Sequence, residues 1–326
     1  MPDFILTFLK TALHVLIFPG LLFVAIGGLL LAGIDRKVLA RMQRRIGPPI
    51  VQPFFDFFKL MGKETIIPNA ARPAIYKAAP LIGTASLAIM MLFFPLFGHQ
   101  AAWGSTADLI VILYLMTIPA VAIIVGGSAS GSPFAGIGIS REMVTMMAYE
   151  LPLVLVFLAA AKKVGGTSLV FSLDSITAWQ QANGCLLFHW AMIPAALALL
   201  LVIPAEVGTQ PFDVAEAETE ICEGPLIEYS GAPLAMYKLN TAMKMFVMTA
   251  LFTVLFLGGI NLGGGVLGWV LGGLLLFAIC AVLTILCMTL IHAVTARLKV
   301  EHLFKFYWTV VAGLALVSLV LVWFGL

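Results

Sequence analysis

The sequence predicts an all-α, multi-pass membrane protein with about eight transmembrane helices and one amphipathic surface helix. Three observations carry that prediction. Of the 326 residues, 62% are hydrophobic and only 10% are charged, and the mean hydropathy is +1.09. The apolar residues fall in continuous runs of about 20, the length a helix needs to cross a hydrocarbon core. Those runs do not alternate apolar and polar positions, as strands of a membrane barrel would.

The runs lie at about 11–34, 76–97, 106–127, 141–161, 185–204, 238–258, 266–292 and 304–325. The first lacks a small-residue cleavage site before the basic segment, so it reads as a retained span rather than a signal peptide. The connection over 35–75 follows. "DRKVLARMQRR" extends the first helix with Arg36, Lys37, Arg41, Arg44 and Arg45 on a basic face. Gly47-Pro48-Pro49 must break that helix, because proline lacks an amide proton and restricts its predecessor. Pro53 can start a new one. Phe54, Phe55, Phe57, Phe58, Leu60 and Met61 crowd one side of it, with Asp56, Lys59 and Lys63 on the other. This is a surface helix, lying in the lipid interface or forming a wall of a partner-docking or ligand-access site.

The fourth span opens "SREMVTMMAYELPL", which brings Arg141, Glu142 and Glu150 into an apolar helix. An ionised carboxylate in hydrocarbon is costly, so Glu150 is expected to be protonated, paired or hydrated, and is a candidate proton carrier. The fifth span ends at Glu206. Next comes an acidic cytoplasmic loop, 205–237, and then a sixth span that begins with Lys238 and Lys244 as candidate partners for it. The Gly-rich stretch 260–273 suits a tight turn into a closely packed seventh helix. Fifteen of the 18 Lys and Arg residues lie in or beside the odd-numbered connections; Lys10, Lys162 and Lys163 do not. The positive-inside rule then places the odd connections in the cytoplasm and both termini outside. The whole chain, 1–326, reads as a single membrane domain.

Net charge is +2, which gives no reason to expect nucleic acid. Cys185, Cys222, Cys280 and Cys287 are scattered, with no ligand spacing for zinc or an iron–sulfur cluster. No metal site or cofactor is expected within the chain. His14, His189 and His292 stand alone in or beside spans and read as packing residues.

The densest charge is in "PFDVAEAETEICEGPLIEYSG", which holds Asp213, Glu216, Glu218, Glu220, Glu223 and Glu228 and nothing basic. At helical spacing Glu216, Glu220 and Glu223 share one face, where like charges repel. A free acidic loop beside an anionic leaflet is also repelled. The loop therefore points to something that uses its charge: a basic partner surface, a water-filled proton path or a cation site. A simple solvated loop is the plainer alternative.

"DRKVLARMQRRIGP", "MAYELPL" and "AEVGTQPFDVAEAETEICEGPLIEYSG" together resemble the membrane subunit shared by respiratory complex I and the energy-converting group 4 NiFe hydrogenases. The resemblance runs from Asp35 to about Lys244. It implies the heel of a membrane arm, docking a peripheral redox arm and linking it to ion-pumping subunits. The complex I pattern typically reads "AETNRAPFD", where this chain has "AEVGTQPFD", so Thr209 replaces an Arg. "GPPIVQPFFDFFKLMGKE" and "EGPLIEYSG" look more like the hydrogenase branch, Ech-type in particular, and weigh against a quinone site.

The resemblance implies hydrogenase large and small subunits, a ferredoxin-like iron–sulfur subunit and an antiporter-like membrane subunit as partners, in the cell membrane. The NiFe centre and iron–sulfur clusters would lie in those partners. On this reading the coupling residues are Glu150, Glu206, Asp213, Glu216, Glu218, Glu220, Glu223, Glu228, Arg141 and Glu142. Those facing the redox arm are Arg36, Lys37, Arg41, Arg44, Arg45, Asp56 and Lys59. The alternative is the quinone-binding subunit of complex I. A secondary transporter would need paired broken helices in inverted repeats, which the sequence does not offer. A purely structural anchor is the third possibility.

Overall fold

A computed structural model describes residues 11–96, 100–166, 168–259 and 266–325, with the main chain alone for Glu218 and Val266. Eight helices are long and apolar enough to cross a membrane: Thr11–Met42, Pro73–Phe93, Asp108–Ser130, Pro133–Gly165, Trp190–Val207, Gly231–Leu257, Leu267–Val294 and Val300–Trp323. Among the described residues there is no strand. Residues 260–265 of the Gly-rich turn lie outside the described residues.

Several helices run past their apolar windows. The fourth begins at Pro133, where a first-turn proline loses no hydrogen bond. The sixth begins at Gly231. Arg141, Glu142, Lys238 and Lys244 are thus helical residues, held in fixed register with the apolar positions around them.

The sixth span is the axis of the bundle: 94% of its apolar stretch is buried, against 33–67% for the other seven. The first span reaches it closely at Gly28, where a β-carbon would collide with the main chain of Ala242. Thr249 and Thr253 along it return their hydroxyls to the carbonyls of Met245 and Thr249. In this way a helix with polar side chains is buried without orphaned hydroxyls.

The surface helix forms as Gln52–Met61, with Pro53 in its first turn. In the fourth connection a short helix, Leu173–Asn183, packs back onto the bundle. Its buried Gln180 donates to the carbonyls of Val254 and Leu255 at the end of the sixth span.

The acidic loop corrects one expectation. Only Glu218–Ile221 is helical, so Glu216, Glu220 and Glu223 do not form one helical face. Cys222, Glu223 and Gly224 follow in the left-handed region, at φ 51°, 66° and 50°. Three such residues in a row end the helix after one turn and fold the chain back toward the bundle.

Candidate functional site

Where the loop folds back, it closes a small cavity against the third, fourth, fifth and sixth spans. The cavity measures about 30 Å³ and is lined by the charged residues Glu142, Glu206, Asp213, Glu216 and Lys244, with Thr145, Asn240 and Thr241 beside them. A polar space of this size holds roughly one or two water molecules and no organic ligand.

Each lining residue is placed by its helix. Glu142, Thr145 and Tyr149 follow the i, i+3, i+7 stripe of the fourth span and point inward together. Glu206 is one residue from the end of the fifth span and is 4% exposed. Lys244, in the sixth, donates to the main-chain carbonyl of Glu206 at 3.0 Å and lies 3.6 Å from its carboxylate. The ammonium is held chiefly by the carbonyl, and the carboxylate is a looser partner. Glu206 Oε1, the Tyr149 hydroxyl and Asn240 Oδ1 are buried without a well-formed hydrogen bond. The Tyr149 hydroxyl and the Glu206 carboxylate are electrostatic neighbours.

The loop side is pinned by two arginines from distant parts of the chain. Arg297, just after the seventh span, donates to Asp213 at 2.9 Å and to Thr219 at 3.1 Å. Arg141 donates to Glu220 at 2.5 Å and to the carbonyl of Val214 at 3.4 Å. Burial pushes the half-buried Glu216 carboxyl up to about 8; Asp213 and Glu142 push the same way, and Lys244 opposes them. Glu216 therefore holds its proton at neutral pH, beside carboxylates that are paired with bases.

The other predicted residues divide. Glu150 is half-buried on the fourth span, one position round from Tyr149 and so about 100° away from the cavity stripe. Glu220 is exposed in its pair with Arg141. Glu223 is half-buried, in the left-handed turn. Glu228 takes part through its main-chain carbonyl, which accepts from Tyr76 at 2.6 Å. The Glu218 side chain lies outside the described residues. Arg36 bridges Asp56 on the surface helix at 2.9 Å. Slight burial raises the Asp56 carboxyl, but the hydrogen bonds from Arg36 and Gln52 outweigh it and hold it below its usual value. Lys37 is half-exposed, and Arg41, Arg44, Arg45 and Lys59 are exposed.

Sequence reasoning missed Tyr149, Asn240 and the role of Arg297. Tyr149 was available from its seven-residue spacing to Glu142. Arg297 was not, since only the fold brings it to a loop 84 residues away. Among the described residues no three His, Cys, Asp or Glu side chains converge on a metal site, so no step here is routed through a NiFe or iron–sulfur centre.

A family model described as NADH dehydrogenase matches residues 13–323. Hydrogenase-4 component C of Escherichia coli is 35% identical over 70% of each chain. A membrane component of the NADH-quinone oxidoreductase of Geobacillus kaustophilus is 33% identical over 92% of each. A chain in the structure of the membrane-bound sulfane sulfur reductase, an archaeal respiratory membrane complex, superposes with a TM-score of 0.84. It is 30% identical, and the match covers 93% of this chain and 96% of that one.

Proposed function

The chain belongs to the NADH dehydrogenase family of membrane subunits, and from that premise we propose that it is the membrane-arm subunit of an energy-converting, ferredoxin-linked NiFe hydrogenase. It anchors the peripheral redox arm and couples proton reduction to proton or sodium-ion translocation. The NiFe and iron–sulfur chemistry belongs to the large, small and ferredoxin-like subunits. This chain moves and holds protons.

The observation that carries the reading is the water-sized cavity with a buried carboxylate–lysine pair on one side and an arginine-pinned acidic loop on the other. Coupled carboxyl groups share protons, and a small field redistributes them. A redox event in a docked partner that shifts the loop, or its charge, alters the field at Glu216 and Asp213. Glu206, Glu142 and the Tyr149 hydroxyl are the next polar groups inward. Glu150, one position round the helix and half-exposed, is placed to pass the change to an antiporter-like neighbour. The basic end of the first span, from Arg36 to Arg45, is the docking face for the redox arm.

The test is ferredoxin-driven H2 evolution with ion uptake in proteoliposomes. Glu206→Gln and Glu142→Gln should leave the complex assembled and lower coupled turnover, with smaller effects for Glu150→Gln and Glu220→Gln. Wild-type rates in all four would reduce the cavity to a structural element. The second reading, the quinone-binding subunit of respiratory complex I, is favoured by the likeness to the Geobacillus NADH-quinone oxidoreductase component over 92% of the chain. Quinone reductase activity without hydrogenase activity in the purified complex would select it.

A further inference from the structure

A second concavity lies apart from the carboxylate cavity, between the surface helix and the first and sixth spans. It has a volume of about 440 Å³, the size of a small-molecule site. Its charged residues are Arg36, Lys59, Lys63 and Lys238, with Asp56 the one acid. Arg36 is engaged by Asp56 at 2.9 Å. The three lysines form no ion pair among the described residues, and all three are exposed.

The rest of the lining is apolar, with Leu29 and Ala32 from the first span and Ala242 from the sixth. The two alanines leave a slot where larger residues would close it. The notch therefore carries surplus positive charge at one part of its lining and a hydrocarbon wall at another. It lies beside a helix whose outward residues Phe55 and Phe58 are 62% and 67% exposed.

Three like charges around a space repel one another until an anion enters. An anion bound against an apolar wall beside a bilayer must itself be amphiphilic. We propose that this notch is a binding site for one anionic phospholipid, its phosphate among Lys59, Lys63 and Lys238 and its acyl chains along the Ala32–Ala242 wall. The site is independent of the coupling cavity and does not depend on which redox complex the chain serves. It would set the position of the surface helix, and so of the basic face beside it, according to the lipid present.

The test is native mass spectrometry of the full-length chain in neutral detergent, titrated with phosphatidylglycerol or with phosphatidylcholine of the same chain length. Wild type should retain one phosphatidylglycerol, roughly tenfold or more in preference to phosphatidylcholine. Lys59→Gln and Lys63→Gln should each weaken retention about fivefold; both positions are exposed, so the fold is preserved. Ala32→Leu, which narrows the slot and changes no charge, should weaken it as well. Glycerophosphate, which has a headgroup but no chains, should fail to displace the lipid. Equal retention of the two lipids, indifference to both lysine changes, or displacement by glycerophosphate would each overturn the proposal.

Discussion

Lys244 is the residue on which the cavity turns. It is 5% exposed, and its two contacts are both to Glu206. Removing one member of a buried pair leaves the other uncompensated, at a cost of about 3–5 kcal/mol. Lys244→Met should therefore lower the thermal midpoint in detergent sharply. Lys244→Met with Glu206→Gln should recover most of the loss, because no lone charge remains; a double variant as unstable as the sum of the singles would deny the coupling. Glu216 gives a pH prediction. Its carboxyl rises from 4.5 to about 8 on folding. Between those values the unfolded chain has released the proton and the folded one keeps it, so this residue makes the protein less stable as pH rises from about 4.5 to 8. Glu216→Gln should flatten that part of the stability–pH curve and be the more stable form above pH 8. A curve that keeps the same slope after substitution would assign the slope to another group.

The acidic loop is the element whose partners the sequence hid. Its negative charge is plain in the letters, but the bases that answer it come from Arg141 and Arg297, 79 and 84 residues away. Periodicity alone also misplaced Glu216, Glu220 and Glu223 on one helical face. The left-handed turn at 222–224 is invisible to a periodic pattern, since two of its three residues are not glycine. By contrast the surface helix was legible, because Pro53 and the run of phenylalanines state its start and its apolar side locally. If the loop is held mainly by Arg297, Arg297→Ala should loosen 213–219 by about 1.5–3 kcal/mol, the range for a charged hydrogen bond. Amide exchange across the loop reads this directly. Unchanged protection would mean that the turn and its apolar contacts hold the loop by themselves.

For the whole molecule, all eight spans were readable because burial in lipid demands a length and a composition that few other structures need. What the letters could not give was which span lies at the centre, since the sixth is one of the less apolar. The uneven placement of basic residues predicts that Gln43 and Gln181 face opposite sides of the membrane. Both are exposed, so single cysteines there should react with an impermeant reagent from opposite sides, and labelling from one side would refute eight crossings in this orientation. The central position of the sixth span also bears on biogenesis. Its mean hydropathy is 1.6, against 2.9 for the seventh, and it carries Lys238, Asn240 and Lys244. A lysine deep in lipid costs about 2.5–3.5 kcal/mol at insertion, so this helix is a poor passenger for the translocon by itself. The five earlier helices, with Glu206 already waiting, must form the polar niche that receives it. A glycosylation reporter placed after residue 257 should show efficient integration in the native order, and a marked loss when the fifth helix is replaced by polyleucine. The pair that shapes the cavity thus also fixes the order in which the nascent chain can enter the bilayer.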